Sequence, residues 1–232
     1  MSSPDVRAFT VGAVQENSYI VRADAQSKRA VIVDPGDEPE RLLAAIEELG
    51  VEIEAILVTH CHFDHIGAVA PLAKATGAPV YCPKLEQPVL ADVMSWVPPG
   101  FGPFESYEAD HTLGGGERLN LAEMDIEVVF TPGHSPGHIT YAFDGALLSG
   151  DVLFQGSVGR VDLPFGDWAT LESSIEGLVR AFPAETVVYP GHMGVTTLGR
   201  ELATNPFLSE LRLRVQDAQP VSASPPPPAA GS

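Results

Sequence analysis

The sequence predicts a fold of the α/β class, and three observations lead to this prediction. In the first half of the 232-residue chain, short apolar runs alternate with segments of helical periodicity, as in layered α/β domains. In the second half, several short apolar runs separated by turn residues predict a series of strands. The chain can bury a sizeable core, and its 44% hydrophobic and 19% charged residues are ordinary for a globular protein.

The first half contains strands and helices in alternation. Residues 39–49 place Leu42 and Ile46 on one helical face, and Gly50 follows where a helix would end. The strands are predicted at residues 6–11, 17–21, 29–34, 53–58 and 79–82, and the helices at residues 39–49, 66–75 and 85–94.

Residues 96–107 interrupt this alternation with a loop rich in proline, glycine and aromatic residues. Its aromatic side chains either fill the core or form the wall of a pocket, and the sequence leaves both readings open. Beyond the loop, strands are predicted at residues 118–121, 125–130, 138–143, 146–148 and 186–189, and helices at residues 168–182 and 197–204.

The chain is expected to form one domain, residues 1–216, followed by a tail. Residues 217–232 contain a run of prolines among Ala, Ser and Gly, and this composition cannot bury enough apolar surface to order itself. We therefore predict a disordered proline-rich tail; a proline-rich ligand for a partner protein is the alternative.

Charge and apolar composition narrow the classes of partner. Thirteen basic against 31 acidic residues give a formal net charge of −18, which disfavours nucleic acid and anionic membranes. No apolar run approaches the length of about 18 residues needed to cross a bilayer. Because the N-terminal residues lack the features of a signal peptide, we expect a cytoplasmic protein. Its oligomeric state is left open.

Residues 59–65, Thr-His-Cys-His-Phe-Asp-His, place three imidazoles and one carboxylate directly behind the apolar run 53–58. Each of these groups can bind a metal ion. Cys61, inside the segment, is predicted to be a small buried side chain, with a thiolate ligand as the alternative. Cys82 is the other cysteine of the chain, and we expect no disulfide framework.

Four other segments place a His or Asp next to glycine or, in the weakest case, two residues before it. Three of them follow an apolar strand, so the polar residue emerges at the carboxyl end of that strand, and glycine lets the backbone turn sharply there. We expect these loops to converge on one site. The segments are residues 131–134 (Thr-Pro-Gly-His), 149–151 (Ser-Gly-Asp), 189–192 (Tyr-Pro-Gly-His) and 33–36 (Val-Asp-Pro-Gly).

Together these segments offer more ligands than one tetrahedral zinc ion uses. They suit two metal ions that share a bridging carboxylate and a bridging water. Zinc fits the His and Asp set, and iron or manganese would also fit. Asp34 is either a turn former or the acceptor that holds a ligand histidine. The candidate ligands are His60, His62, Asp64, His65, His134, Asp151 and His192.

These motifs resemble the metallo-β-lactamase-fold hydrolase superfamily, whose signature is T-H-x-H-x-D-H followed by distant His, Asp and His. Within it, the sequence is most similar to the glyoxalase II-like (hydroxyacylglutathione hydrolase-like) short single-domain branch. The similarity covers roughly residues 8 to 210. It rests on residues 131–138 (Thr-Pro-Gly-His-Ser-Pro-Gly-His), 149–154 (Ser-Gly-Asp-Val-Leu-Phe), 159–160 (Gly-Arg), and 196–201 with 205–207.

The resemblance implies a four-layer αββα sandwich with two divalent metal ions, zinc first among the candidates, at one edge of the packed sheets. It implies a thioester substrate, an S-acylglutathione such as S-lactoylglutathione or a thioester of a related thiol carrier. A metal-bound hydroxide would attack the carbonyl, and a thiolate would leave. By the same resemblance, the first metal is bound by His60, His62 and His134, the second by Asp64, His65 and His192, and both by Asp151.

The resemblance implies four further roles. Asp64 would orient or deprotonate the nucleophile in addition to binding a metal. Asp34 and His138 would hold the ligands through hydrogen bonds. Arg160 would help bind an anionic thiol carrier.

Other functions of the same fold are alternatives. A sulfur (persulfide) dioxygenase would use one iron ion bound by His60, His134 and Asp151. A lactone or other ester hydrolase would share all seven ligands. The commonest dinuclear β-lactamases carry a cysteine where Asp151 stands, and the net charge disfavours nucleases. A metal-free binding scaffold is disfavoured because no ligand is missing.

Overall fold

Two six-stranded sheets lie face to face in the computed structural model, which describes residues 4–217. The strands of the first sheet are adjacent in chain order: β1 (Asp5–Val11), β2 (Glu16–Arg22), β3 (Arg29–Val33), β4 (Glu52–Leu57), β5 (Val80–Pro83) and β6 (His111–Leu113). The remaining strands are β7 (Arg118–Leu121), β8 (Met124–Phe130), β9 (Ile139–Phe143), β10 (Ala146–Gly150), β11 (Leu153–Phe154), β12 (Ser157–Val158), β13 (Val187–Pro190) and β14 (Thr196–Thr197). The second sheet has the order β14-β13-β10-β9-β8-β7, and β11 and β12 form a small ribbon.

Helices cover the outer faces of both sheets. They are α1 (Pro39–Leu49), α2 (Phe63–Ile66), α3 (Val69–Thr76), α4 (Gln87–Ala91), α5 (Trp168–Ala181), α6 (Leu198–Thr204) and α7 (Ser209–Asp217), with short 3-10 helices at Val93–Ser95 and Pro206–Leu208. Among the described residues, no helix is both long and apolar enough to cross a bilayer.

The alternation of side chains along the strands builds the layers. In β3, Ile32 packs with residues of α1 and α3, whereas Val31 and Val33 pack between the two sheets. On the far side of the second sheet, Leu147 and Val188 pack against α5. The order is therefore helix, sheet, sheet, helix, so the predicted αββα sandwich is confirmed.

Strand direction explains why distant segments of the chain meet. Strands β3, β4, β5 and β6 run parallel, and so do β10 and β13. Strand β8 has the direction of β10 because both are antiparallel to β9. The loops after β3, β4, β8, β10 and β13 carry the five predicted site segments, and each loop leaves the carboxyl end of its strand.

The predicted helix at residues 66–75 was wrong at its start. The structure forms α2 inside the histidine segment and then breaks before α3, because the Ala68 N–H donates to the Pro35 carbonyl oxygen at 2.9 Å instead of continuing a helix. The predicted helix at residues 85–94 is shorter, since Asp92 leaves the helical conformation after α4.

Four short strands, β6, β11, β12 and β14, were missed, and so was the helix α7. Strands of two or three residues are too short to show a period of two in the sequence. The proline-rich tail predicted at residues 217–232 lies outside the described residues, apart from Asp217 at the end of α7.

Candidate metal centre

The loop after β4 brings four candidate ligands to the edge of the sheets. Its start is fixed by Asp34, whose carboxylate accepts hydrogen bonds from the Thr59 N–H at 2.7 Å and the Thr59 hydroxyl at 2.6 Å. Because α2 begins at Phe63, Asp64 and His65 lie on its first turn instead of on a free loop.

The first group consists of His60 and His62 from this loop and His134 from the loop after β8. The Nε2 atom of His60 lies 3.1 Å from His62 Nδ1 and 3.2 Å from His134 Nε2, and the last two nitrogens are 2.8 Å apart. Nitrogens bound tetrahedrally to zinc at about 2.0–2.1 Å are about 3.3 Å from one another. The three imidazoles therefore fit one metal ion.

The second group consists of Asp64, His65 and His192, whose ligand atoms also lie close enough to hold one ion. The Oδ2 atom of Asp64 is 3.3 Å from His192 Nε2 and 3.9 Å from His65 Nε2. His192 reaches this position from the loop after β13, in the second sheet.

Asp151, in the loop after β10, lies between the two groups. Its Oδ1 atom is 3.4 Å from His65 Nε2, and its Oδ2 atom is 3.5 Å from His134 Nε2 and 3.6 Å from His192 Nε2. Gly191 permits this approach, since a Cβ atom there would lie 2.3 Å from Asp151 Oδ1. One carboxylate thus faces both groups of ligands.

Four buried side-chain atoms lack a hydrogen-bond partner within residues 4–217: His65 Nε2 and Asp151 Oδ1 at the centre, and both carboxylate oxygens of Glu16 beside it. Buried polar atoms of folded proteins are nearly always paired with another polar group, a water or an ion. His65 Nε2 and Asp151 Oδ1 lie 3.4 Å apart, beside the other ligands of the second group. The donor set and its unpaired atoms both fit a bound cation.

Hydrogen bonds on Nδ1 orient three of the imidazoles so that Nε2 points inward, whereas His62 presents its Nδ1 atom to the first group. His65 Nδ1 donates to Asp34 Oδ2 at 3.0 Å, His134 Nδ1 to the Arg160 carbonyl oxygen at 2.7 Å, and His192 Nδ1 to the Gln15 carbonyl oxygen at 3.3 Å. An oxygen acceptor on Nδ1 keeps the proton there and leaves the Nε2 lone pair free for a metal ion. Asp34 thus has the geometry of a hydrogen-bond acceptor that holds a ligand histidine, one of the two roles that the sequence left open.

His138 is fully buried behind the centre. Its Nε2 atom accepts the Asp151 N–H at 3.1 Å, and its Nδ1 atom lies 3.1 Å from the Thr131 hydroxyl. Both ring nitrogens are engaged by the protein, so His138 can position Asp151 and is not itself placed to bind a metal ion.

The electrostatics of the first group favour neutral, metal-binding imidazoles. Burial, reinforced by the neighbouring histidines, lowers the pKa of His60 well below its usual value. Burial and His134 lower the pKa of His62 to about 4. At neutral pH both rings therefore carry a lone pair.

The carboxylates around the second group stabilise a positive charge there. Burial opposes protonation of His65, but the carboxylates of Asp151 and Asp64 and the hydrogen bond to Asp34 raise its pKa well above the usual value. Burial also opposes ionisation of Asp151, yet the neighbouring histidines hold its pKa well below the usual value. A metal ion would replace the proton on His65, as binding of metal ions to histidine sites generally does.

Arg160 is exposed, and its side chain pairs with a carboxylate two positions away. Its guanidinium group donates two hydrogen bonds of 2.9 Å to the carboxylate of Asp162. The backbone carbonyl of Arg160 is the group that supports His134.

The aromatic loop contributes both to the core and to a wall beside the centre. Phe104 packs against the core of the first sheet. Phe101 lies 4.6 Å from Phe63 between ring centroids, and with Val14 they line a small cavity next to Asp64. The two readings of residues 96–107 are thus both correct in part.

Cys61 points away from the imidazoles into the core, as expected of a small buried side chain. Its Sγ atom lies 3.4 Å from that of Cys82, and both cysteines are free. Burial raises the pKa of the Cys61 thiol well above its usual value, so a thiolate ligand is disfavoured.

Two buried carboxylates near the centre were missed by the sequence analysis. Glu16 is fully buried, its Oε1 atom lies 3.8 Å from His65 Nδ1, and burial raises its pKa well above the usual value. Glu86 is 4% exposed, and its carboxylate accepts hydrogen bonds from the Cys61 N–H and the Ser135 hydroxyl, one in each loop of the first group. Neither lies in a motif with glycine or histidine, so no sequence signal identified them.

A two-sheet sandwich with a dense His and Asp centre at the carboxyl ends of its strands is the arrangement of a metal-dependent enzyme. The model of the metallo-beta-lactamase superfamily matches residues 11–192, which span all seven candidate ligands. The chain belongs to the metallo-beta-lactamase superfamily and is a metallo-hydrolase of that superfamily.

Three similar proteins illustrate the family. The hydroxyacylglutathione hydrolase GloC of Haemophilus influenzae is 35% identical over 210 residues, which are 88% of this chain and 98% of that protein. The crystal structure of the BLEG-1 B3 metallo-beta-lactamase has a TM-score of 0.83 at 38% identity, covering 88% of this chain and 100% of that one. TTHA1623, solved in a di-iron-bound form, has a TM-score of 0.73 at 43% identity with the same coverage.

Proposed function

We propose that this protein hydrolyses thioesters at a centre of two divalent metal ions. The observation that carries the proposal is that two complete groups of three ligand residues face one shared carboxylate, Asp151. When bound, two such ions acidify a water molecule, polarise the substrate carbonyl and stabilise its developing negative charge.

The residues of the chain would divide the remaining tasks. His60, His62 and His134 would hold one ion, and Asp64, His65 and His192 would hold the other. Asp151, which lies between the two groups, would supply the shared negative charge. We assign to Asp64, whose side chain is partly exposed at the centre, the task of orienting the attacking water. The buried positions of His60 and His65 keep bulk water from the ligands.

The thioester assignment is supported by the similarity to the Haemophilus hydroxyacylglutathione hydrolase. We propose an S-acylglutathione, or the thioester of a related thiol carrier, as the substrate, and a cytoplasmic location. Zinc, iron and manganese all suit the His and Asp set, and the di-iron form of TTHA1623 supports a centre of two ions.

Metal-loaded protein is expected to release thiol from S-lactoylglutathione at a rate well above that of a His62→Ala variant, because the variant lacks one ligand of the first group. Thiol release can be followed with a chromogenic thiol reagent. A chromogenic cephalosporin and a lactone, assayed alongside, test the lactamase and lactonase alternatives. Thioester turnover no faster than that of the variant would contradict the proposed substrate.

Arg160→Gln is expected to raise the KM for an anionic thioester and to leave kcat unchanged, since its guanidinium group would contact the thiol carrier away from the reacting carbonyl. An exposed charge contact is worth at most about 1 kcal/mol, so the rise should be about fivefold or less. Arg118→Gln removes another exposed arginine, paired with Glu127, and serves as the matched control. An unchanged KM for Arg160→Gln would exclude this role.

A mononuclear persulfide dioxygenase is the second candidate. It would use His60, His134 and Asp151 and would leave the second group without a function. The complete second group, with His65 Nε2 buried and unpaired within the described residues, favours the dinuclear hydrolase. Oxygen uptake on glutathione persulfide by protein with one iron per chain would support the dioxygenase instead.

A further inference from the structure

Glu86 is a buried carboxylate that bonds both loops of the first ligand group. It directly precedes α4, and its Oε2 atom accepts the Cys61 N–H at 2.5 Å. Its Oε1 atom accepts the Gly137 N–H at 2.9 Å and also the hydroxyl of Ser135. Three donors from two loops therefore meet on one side chain.

Two of the three donors lie next to candidate ligands in the chain, and the third, Gly137, lies in the same loop as His134. Cys61 stands between His60 and His62 in the loop after β4, which belongs to the first sheet. Ser135 directly follows His134 in the loop after β8, which belongs to the second sheet. Glu86 thus links the two sheets at the point where the three imidazoles converge.

Gly137 allows the carboxylate to come this close. A Cβ atom at Gly137 would lie 2.6 Å from Glu86 Cγ, closer than Cβ atoms come to other heavy atoms, and 3.2 Å from Glu86 Oε1. The second glycine of the His134–His138 segment is thereby explained by contact with Glu86.

We propose that Glu86 is a positioning residue that sets the spacing between the His60–His62 loop and the His134 loop, and thereby the affinity of the first group for its metal ion. This inference rests on the ligand roles given under the proposed function. It does not depend on which substrate is hydrolysed. Groups that orient metal ligands through hydrogen bonds contribute strongly to metal affinity in other proteins.

Glu86→Gln tests the inference while keeping the shape of the side chain. The amide NH2 group cannot accept, so in either orientation one backbone N–H, of Cys61 or of Gly137, meets another donor. The expected result is a loss of about 10- to 100-fold in the affinity for one of two zinc ions, with the other unchanged. Affinities are measured by titrating metal-free protein with zinc in competition with a chromophoric chelator.

A second readout needs no metal. In metal-free Glu86→Gln protein, the amides of Cys61 and Gly137 are expected to exchange their hydrogens faster than in the wild type, because their acceptor is weakened. The exchange rate of Ile56 in β4, whose N–H bonds the Pro79 carbonyl oxygen, is expected to stay the same.

Glu201→Gln is the matched control. Glu201 is also fully buried and accepts three hydrogen bonds, from Gly156, Thr196 and Asn205, none of which is adjacent in the chain to a candidate ligand. This variant should lose thermal stability and keep both zinc affinities. If Glu86→Gln does not fold, Ser135→Ala removes only one of the three bonds, and a smaller loss at the same zinc ion is expected.

Wild-type affinity for both zinc ions in Glu86→Gln, or in Ser135→Ala where Glu86→Gln does not fold, would overturn the inference. Equal losses in Glu86→Gln and Glu201→Gln would also overturn it, because they would indicate a general effect on stability. A wild-type protein that binds no metal would overturn the ligand assignment and the proposed function together. Two bound zinc ions without thioester turnover would count against the substrate alone.

Discussion

Asp151→Asn is expected to lower the rate of hydrolysis about 1000-fold or more, since the charge that both ligand groups share is lost. Metal ions contribute several kcal/mol to such reactions, and each 1.4 kcal/mol is a factor of ten. The substitution keeps the size of the side chain. It also keeps the backbone N–H of residue 151, which donates to His138 Nε2. The variant should also bind fewer than two metal ions per chain, as measured by elemental analysis after gel filtration.

Asp125→Asn is the control for this variant, because Asp125 is an exposed carboxylate that bonds Asn120 on the surface of the second sheet. It should keep both the wild-type rate and the wild-type metal content. If Asp151→Asn lost less than about tenfold in rate, or about 1.4 kcal/mol, Asp151 would not be the shared ligand.

Asp34→Asn has the second-largest expected effect, and it acts through His65. Asp34 has a φ of 47°, a left-handed conformation that asparagine also adopts, so the backbone should be kept. The carboxylate accepts from Thr59 and from His65 Nδ1. An amide NH2 facing His65 would favour the tautomer protonated on Nε2, which cannot bind a metal ion.

The expected results are a loss of about 10- to 100-fold in the affinity for one metal ion and a decrease of about 1–3 kcal/mol in the free energy of unfolding. Chelator competition and urea denaturation measure the two quantities. Asp110→Asn is the matched control, since Asp110 accepts from the Val80 N–H and the Tyr107 hydroxyl outside the centre. Unchanged metal binding in Asp34→Asn would show that the hydrogen bond to His65 has no role in the centre.

Much of the fold and the candidate ligands followed from local sequence because each ligand segment ends an apolar strand. His134 and His192 both stand in Pro-Gly-His turns, and His60 is the first histidine of the segment after β4. A strand sets the direction of the residue that follows it, so separate loops with the same pattern indicated one common edge. The structure brings all seven candidate ligands to that edge.

The supporting contacts could not be predicted in the same way. The acceptors for His134 and His192 are the backbone carbonyls of Arg160 and Gln15, and every residue type offers such a group. Glu86 is distant in sequence from both loops that it joins, and only the packing of the two sheets brings it between them.

The side-chain partner of Arg160 could not be predicted from the sequence either. The family resemblance assigned Arg160 a role in binding the thiol carrier, whereas the structure pairs it with Asp162, only two positions away. The pairing depends on how the loop after β12 turns, and the sequence does not specify that turn. The histidine segment, in contrast, is fixed by β4 before it and by α2 within it.

A crystal structure of the metal-loaded protein, with anomalous diffraction measured at the absorption edge of the bound metal, tests the central claim most directly. The account predicts two anomalous peaks per chain, one among His60, His62 and His134 and the other among Asp64, His65 and His192. Asp151 should contact both. A single peak bound by His60, His134 and Asp151, with the second group free of metal, would contradict the dinuclear centre.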